Sequence, residues 1–184
     1  MPTTSSRQLK NVCVLSRFNY GKYKVFVTAT IDLGRAIAER KLHLIYGGRD
    51  RWLSKLVSKA TFTRGSQVLG IIPNAWKPLE CLLDSPIREE LVVSGMQKRK
   101  IEMLKHTDTY IFLPGDLTTL ETLITFAYWA HLNIHKKSIS LLNIHNFYYG
   151  FITFINPAIK NHYISFTAKN SLFVLLLPMS YLIF

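Results

Sequence analysis

A chain of 184 residues is long enough for one domain with a substantial core and too short for two of ordinary size. Hydrophobic residues make up 48% and charged residues 18%, a composition typical of globular proteins and unlike that of disordered ones. Lysine and arginine outnumber aspartate and glutamate by 23 to 11, which would attract phosphates, nucleic acid or acidic partners. Because this excess is spread along the chain without a long basic block, we do not expect nucleic-acid binding.

Cysteine and histidine residues are too scattered to indicate a metal site. Cys13 and Cys81 lie far apart with no CxxC pair, and His131 and His135 lack the acidic partner of an HExxH site. The N-terminal segment "MPTTSSRQLK" is polar and unlike a secretory signal. We therefore expect no metal and a reducing, cytosolic setting.

The predicted secondary structure alternates between short apolar strands and amphipathic helices. The strand candidates are apolar runs at residues 11–16, 42–46, 67–72, 109–113 and 138–143. Helical periodicity follows in residues 25–40, 95–108 and 117–132. The core faces predicted for these helices are Val27, Ile31, Leu33, Gly34 and Ile37 in the first, Met96, Ile101 and Leu104 in the second, and Leu117, Leu120, Leu123, Ile124 and Ala127 in the third.

Strands that are apolar without alternation are buried on both faces, and their alternation with helices predicts a single-domain α/β fold with a doubly wound parallel sheet. In such a sheet, ligands bind beyond the carboxyl ends of the strands, beside the N-termini of the following helices. A helix N-terminus offers free amides and a positive dipole end, so a phosphate is the expected ligand. Three segments frame this predicted site: "LSRFNYGK", "GGRDRWLSK" and "PGDLTTLET".

The C-terminal segment "SLFVLLLPMSYLIF" is almost wholly apolar, but it is too short to span a membrane and contains Pro178. It either supplies a last buried strand, "LFVLLL", or trails from the protein as an exposed apolar tail. We expect the tail. The predicted organisation is therefore a disordered segment at residues 1–10, a folded domain at 11–169, and an atypical hydrophobic tail at 170–184.

Two motifs in this chain match one family. Residues 96–100 read "MQKRK" in a predicted helix, and residues 114–122 read "PGDLTTLET" after a predicted strand. They resemble the MxxRK and PGGxGTxxE signatures of the Lonely Guy family of phosphoribohydrolases. Further segments, among them "LIYGG", "VLGIIP" and "WAHLNIHKK", extend the resemblance over about residues 11–169, and they look like the plant, cytokinin-activating branch.

The resemblance implies a Rossmann-like phosphoribohydrolase that acts in the cytoplasm or nucleus as a homodimer or as a dimer with paralogues. Its substrate would be a cytokinin riboside 5′-monophosphate, whose N-glycosidic bond is hydrolysed to give free base and ribose 5-phosphate. The resemblance implies no metal, no redox cofactor and no nucleic-acid or membrane partner. Arg99 corresponds to the family's catalytic arginine. The implied substrate-binding residues are Glu80, Arg99, Lys100, Gly115, Asp116, Leu117, Thr118, Thr119, Leu120, Glu121 and Thr122.

The chain departs from the family pattern in its loops. Thr122 stands where the motif has its catalytic glutamate, and a threonine cannot act as a base near neutral pH. Glu121 is adjacent, but successive helix positions differ by about 100° in direction, so we expect it to point elsewhere. Family glycines are replaced by Asp116, which would place a negative charge beside the phosphate, by Thr118, and by Arg49, Trp52 and Lys55. Two hypotheses stay open: an active or weakly active hydrolase, and a non-catalytic member that dimerises and at most binds nucleotide.

Overall fold

The computed structural model describes residues 9–16, 24–48, 52–79, 89–164 and 172–175. Within these residues seven parallel strands form one sheet. The strands are β1 (Asn11–Leu15), β2 (His43–Tyr46), β3 (Val68–Pro73), β4 (Glu89–Val93), β5 (Thr109–Phe112), β6 (Ser138–Leu142) and β7 (Leu172–Leu175). The helices are α1 (Lys24–Glu39), α2 (Trp52–Phe62), α3 (Met96–His106), α4 (Leu117–His131) and α5 (Tyr149–Lys160), with short 3₁₀ helices at Asn74–Leu79 and Ile144–Asn146.

The strand order is β4-β3-β2-β1-β5-β6-β7, which confirms the predicted doubly wound parallel sheet. The chain moves outward in one direction from β1 to β4 and then crosses back to place β5 beside β1. The direction of winding therefore reverses between β1 and β5. In open α/β sheets, ligands bind at the carboxyl end of this switch point.

The core lies on both faces of the sheet. Val12 and Val14 pack on one face with side chains from α1 and α2, whereas Cys13 and Leu15 pack on the other with side chains from α3 and α4. A strand in this position is covered by helices on both sides, so it needs no polar face. The prediction that apolar strands without alternation are buried on both faces is confirmed for β1.

The predicted core faces of the helices are only partly right. In α1, Leu33, Gly34 and Ile37 are buried as expected. In α4 the buried residues are Thr119, Thr122, Leu123, Phe126 and Ala130, whereas Leu117 and Ile124 are exposed. Periodicity failed here because α4 is apolar around most of its circumference, and no single stripe marks the inner face.

In α3 the inner face carries charge. Arg99, Lys100 and Met103 are buried, whereas Ile101, predicted to be in the core, is exposed. The sequence predicts the core face of this helix from its hydrophobic residues alone. Arg99 and Lys100 are buried in place of Ile101, because the carbonyl of Ile71 and the carboxylate of Glu121 provide acceptors for these cations.

The two ends of the chain differ from the expected boundaries. Within the predicted disordered segment, Lys10 is ordered: its N–H, like that of Asn11, donates to a carboxylate oxygen of Asp108, at 3.0 and 2.9 Å. Leu172–Leu175 pairs with β6 as the last strand of the sheet, so the expectation of a trailing tail is wrong for these four residues. Residues 1–8 and 176–184 lie outside the described residues.

Further findings concern the cysteines, metal ions and membrane spans. Cys13 is a buried free thiol, and burial raises its pKa to about 12 against the lowering effect of the positive charge of Arg99. Cys81 lies outside the described residues. In the described part of the chain, no cluster of three or more His, Cys, Asp or Glu side chains could hold a metal ion. Among the described helices, none is long and apolar enough to cross a membrane.

His135 is a structural residue in the segment between α4 and β6. Its Nδ1 accepts from the N–H of Lys137 at 3.1 Å, so the proton resides on Nε2, which donates to the carbonyl of Phe126 at 2.9 Å. Burial lowers the pKa of His135, the bond to Phe126 opposes this shift, and the charge of Lys137 adds to it. The lysine ammonium also donates to the carbonyls of Leu104 and Thr107 at the C-terminal end of α3.

We expect the protein to lose stability as pH falls from 7 to 5, in part because of His135. In the unfolded chain this histidine takes up a proton at about pH 6.5, the ordinary value. In the folded protein its pKa is lower, so protonation favours the unfolded chain as the pH falls. His135→Gln should therefore show a shallower fall in unfolding free energy between pH 7 and 5, measured by urea denaturation. His43→Gln, at an exposed histidine of β2, is the matched control and should keep the wild-type slope. An unchanged slope in His135→Gln would contradict this assignment.

Candidate active site

A small cavity lies at the carboxyl edge of the sheet, at the switch point between β1 and β5. It has a volume of about 40 Å³, which leaves room for a few water molecules. The lining residues come from the ends of β1 and β2, the segment after β3, and the starts of α2, α3 and α4: Leu15, Ser16, Gly47, Ser54, Trp76, Arg99, Thr118, Thr119 and Thr122. The described parts of the three predicted loops therefore converge on one site.

Arg99 supplies the positive charge of this cavity. Its side chain is only 6% exposed, and its Nε donates to the carbonyl of Ile71 at 3.0 Å. The guanidinium carbon lies 5.4 Å from the ring centre of Trp76, within the range of a cation–π contact. A Cβ on Gly47 would lie 2.1 Å from Nη2 of Arg99, so glycine is required at position 47 for the guanidinium to occupy this place.

The loops around the cavity are tied together by side-chain hydroxyls. Ser16 donates to the carbonyl of Pro114 at 2.7 Å, and Ser54 donates to the carbonyl of Ser16 at 2.9 Å. These bonds fix the ends of β1 and β5 relative to α2. Gly115 then brings the backbone against Thr119, where an added Cβ would lie 2.2 Å from Oγ1 and 2.5 Å from Cβ of that threonine. The retained motif glycine is therefore required by packing.

Asp116 is the N-cap of α4. Its carboxylate accepts from the N–H of Thr118 at 2.9 Å and from the N–H of Thr119 at 3.2 Å. These are the amides that a helix N-terminus would otherwise offer to an anion. The substitution of a family glycine by aspartate thus adds a negative charge, and its carboxylate accepts the hydrogen bonds that these amides could otherwise donate to a ligand.

Thr122 and Glu121 take different positions, as the helix geometry predicts. Thr122 is buried and lines the cavity, and its Oγ1 lies 2.9 Å from the carbonyl of Thr118 and 3.4 Å from Oε2 of Glu121. Glu121 lies outside the cavity, where its Oε1 accepts from the ammonium of Lys100 at 2.5 Å and from Oγ1 of Thr125 at 3.1 Å. The Lys100 side chain is buried, whereas that of Glu121 is 53% exposed.

Glu121 carries a negative charge at neutral pH. Desolvation raises the pKa of its carboxyl, but hydrogen bonds from Lys100, Thr125 and Thr122, together with the charge of Lys100, outweigh that effect and lower it overall. Because the side chain is half-exposed, solvent screens much of this interaction. The carboxylate is nonetheless held in one place by donors from two helices.

Several predicted residues take other positions. Leu117 is 82% exposed, and Leu120 packs partly buried against the core cluster under α3 and α4. Lys55 is half-buried in α2 and is not among the described lining residues. Glu80, Arg49 and the side chain of Trp52 lie outside what the structure describes.

Sequence reasoning did not single out Ser16, Ser54 or Trp76 as lining residues. Ser16 and Ser54 fall inside segments that were predicted to frame the site, so their positions at strand and helix ends could have drawn attention to them. Trp76 follows β3 in a segment without a recognised motif. Only the folded chain places its ring beside Arg99.

Known proteins resemble this chain in sequence. A family model described as "Possible lysine decarboxylase" matches residues 54–180. A cytokinin riboside 5′-monophosphate phosphoribohydrolase of Arabidopsis thaliana is 38% identical over 162 residues, which cover 88% of this chain and 75% of the relative. A second Arabidopsis enzyme of that name is 39% identical over 169 residues, 92% of this chain and 77% of the relative. The chain belongs to the Lonely Guy family.

The Lonely Guy assignment confirms the resemblance seen in the two motifs. Solved structures extend the fold further: a molybdenum cofactor binding protein from Rippkaea orientalis aligns with a TM-score of 0.64 at 15% identity, over 92% of this chain and 90% of that one. At that identity the likeness concerns the fold alone. The Lonely Guy chain thus has a Rossmann-like α/β architecture.

Proposed function

We propose that the protein hydrolyses the N-glycosidic bond of cytokinin riboside 5′-monophosphates, giving free base and ribose 5-phosphate. The observation that carries the proposal is the buried guanidinium of Arg99, which stands at the motif position of the family's catalytic arginine and lines the cavity at the switch point. A fixed cation in a desolvated site can stabilise charge that develops as the bond breaks. No cofactor enters this proposal.

The hydroxyl groups around Arg99 support substrate binding in the same cavity. Ser54, Thr118 and Thr119 come from the starts of two helices, where hydroxyls and amides can donate to a phosphate or a ribose. Lys100 lies next to Arg99 but is turned toward Glu121, so we propose that it positions the start of α4. Glu80, Gly115, Asp116, Leu117 and Leu120 complete the binding set implied by the family motif, and their contacts with substrate stay a prediction.

Arg99→Ala should lower the release of free base from isopentenyladenosine 5′-monophosphate by about 10²–10³-fold, because it removes a fixed charge from the reacting site. Release would be followed by chromatography at saturating substrate. Arg35→Ala is the matched control, since Arg35 is exposed on α1 and pairs only with Asp32 among the ion pairs of the described residues. Wild-type release no greater than that of Arg99→Ala would reject the proposed activity.

A second candidate function is supported by Asp116 and Thr122. We propose as the alternative a non-catalytic member that retains the fold, dimerises and at most binds nucleotide. Thr122 supplies a hydroxyl where the family motif has a carboxylate, and the amides at the start of α4 already have Asp116 as their acceptor. Tight nucleotide binding without turnover would favour this alternative.

Asp116 provides a direct measure of how the helix start affects nucleotide binding. Asp116→Asn removes the charge but keeps a side-chain acceptor for the amides. Asp116→Gly removes both the charge and the acceptor, and the loss of the cap lowers the stability of the helix by roughly a few tenths of a kcal/mol. We expect affinity for AMP, measured by calorimetry, to rise by about tenfold in the glycine variant, equivalent to about 1.4 kcal/mol, and less in the asparagine variant. Asp32→Asn, on the exposed face of α1, should bind as the wild type does. Equal affinities in all four proteins would contradict a phosphate site at these amides.

We propose that the protein forms a homodimer, or a dimer with paralogues, through the outer surface of α4 and α5. That surface exposes large apolar side chains, with Tyr128 56% and Phe154 76% exposed, and none of the residues of α5 is fully buried. Between the two helices lies an apolar groove of about 290 Å³. Contiguous apolar surface of this kind is typical of protein–protein contacts.

Phe154→Glu should weaken the dimer by about tenfold or more, because a charge would have to be desolvated in the contact. Sedimentation equilibrium over a range of concentrations would measure this. Phe62→Glu, at an exposed phenylalanine near the end of α2, is the matched control and should leave association unchanged. A wild-type protein that stays monomeric at high concentration would reject the proposal.

The free thiol of Cys13 is compatible with a reducing compartment, and we propose the cytoplasm or nucleus as the location.

A further inference from the structure

We infer that Glu121 acts on the cavity through the hydroxyl of Thr122, so that the two side chains together replace the missing motif carboxylate. This inference rests on the proposed hydrolase function and assigns Glu121 a role as a positioning residue. Thr122 is the member of the pair that lines the cavity, and Glu121 is the member that carries the charge.

The two carboxylate oxygens of Glu121 face different partners. Oε1 accepts from the ammonium of Lys100 at 2.5 Å. The hydroxyl of Thr125 lies 3.1 Å from Oε1 and 2.9 Å from the backbone carbonyl of Glu121, so it has two alternative acceptors. Oε2 is turned toward Thr122, whose Oγ1 lies 3.4 Å away. The Lys100 ammonium holds Oε1 in place, and this orientation presents Oε2 to the residue that lines the cavity.

The hydroxyl of Thr122 has two alternative acceptors. Its Oγ1 lies 2.9 Å from the carbonyl of Thr118 and 3.4 Å from Oε2 of Glu121, and a hydroxyl has one proton to donate. Rotation of this proton toward Glu121 leaves the lone pairs of Oγ1 available to accept from a water in the cavity. The cavity has room for such a water.

Hydrolysis consumes one water molecule at C1′ of the ribose. The oxygen of this water attacks C1′ of the ribose while the C1′–N bond breaks, and the electron pair of that bond stays on the base nitrogen, which takes up a proton from solvent. As the C1′–O bond forms, the water passes a proton to Thr122 Oγ1, and the Thr122 hydroxyl proton passes to Glu121 Oε2. Glu121 then releases that proton to solvent. The products are free base and ribose 5-phosphate.

Lys100 both supports and limits this relay. Its buried ammonium keeps Glu121 ionised, which is the form that can accept a proton, and holds it beside Thr122. The same pairing makes the carboxylate a weaker base than a free glutamate. The relay is therefore expected to give slower hydrolysis than a carboxylate placed in the cavity itself.

A double-mutant cycle tests the relay with isopentenyladenosine 5′-monophosphate as substrate. In the wild-type background, Glu121→Gln should lower kcat by about 10²-fold with little change in KM. In a Thr122→Glu background the cavity holds its own carboxylate, so the same Glu121→Gln change should alter kcat by about twofold or less. Thr122→Ser should retain activity and Thr122→Val should lose it.

Matched controls are Glu39→Gln and Thr28→Val, both on the exposed surface of α1, which should keep wild-type kcat. A purely structural role for Glu121 predicts the same loss in both backgrounds, and that result would overturn the relay, as would an active Glu121→Gln protein. In either case wild-type turnover leaves the proposed hydrolase function standing. A wild-type protein without turnover would reject the proposed activity and the relay together, whether or not Thr122→Glu gains activity.

Discussion

The guanidinium of Arg99 stays protonated at any physiological pH, so burying it requires acceptors and close packing that the rest of the site must provide. The carbonyl of Ile71 accepts its Nε, the ring of Trp76 lies beside its charge, and Gly47 leaves the space that its Nη2 fills. The ends of β2 and β3 and the start of α3 are thus fitted around one cation. A cavity built around such a charge is suited to hold electron-rich groups of a ligand.

The start of α4 is satisfied internally, which distinguishes this chain from the pattern of its family. Asp116 accepts from two amides of the first turn, and the Thr122 hydroxyl lies within reach of the carbonyl of Thr118. An aspartate N-cap stabilises a helix. The substitutions in the motif therefore change the chemistry of the loop while favouring the helix that follows it, which explains how the fold persists with an altered site.

The sheet could be predicted from the sequence because its inner strands are apolar on both faces, and the motif arginine lines the cavity at the switch point. β4 was missed because, as an edge strand, it begins with the exposed Glu89 and Glu90 and lacks an apolar run. The pairing of Lys100 with Glu121 could not be predicted, because it joins two helices across the intervening strand β5. Local periodicity carries no information about such a contact, or about which residue of a basic pair enters the cavity.

The capping carboxylate of Asp116 is an anion tethered to the place where a phosphate would bind. A tethered group competes at a fixed effective concentration, however dilute the protein is. Under the proposed function, an incoming phosphate would have to displace a competitor that never diffuses away, and the site would bind it less tightly than the same amides would without Asp116. The protein would then contain its own competitive inhibitor, and the substrate concentration needed to occupy the site would be set by one side chain at the start of α4.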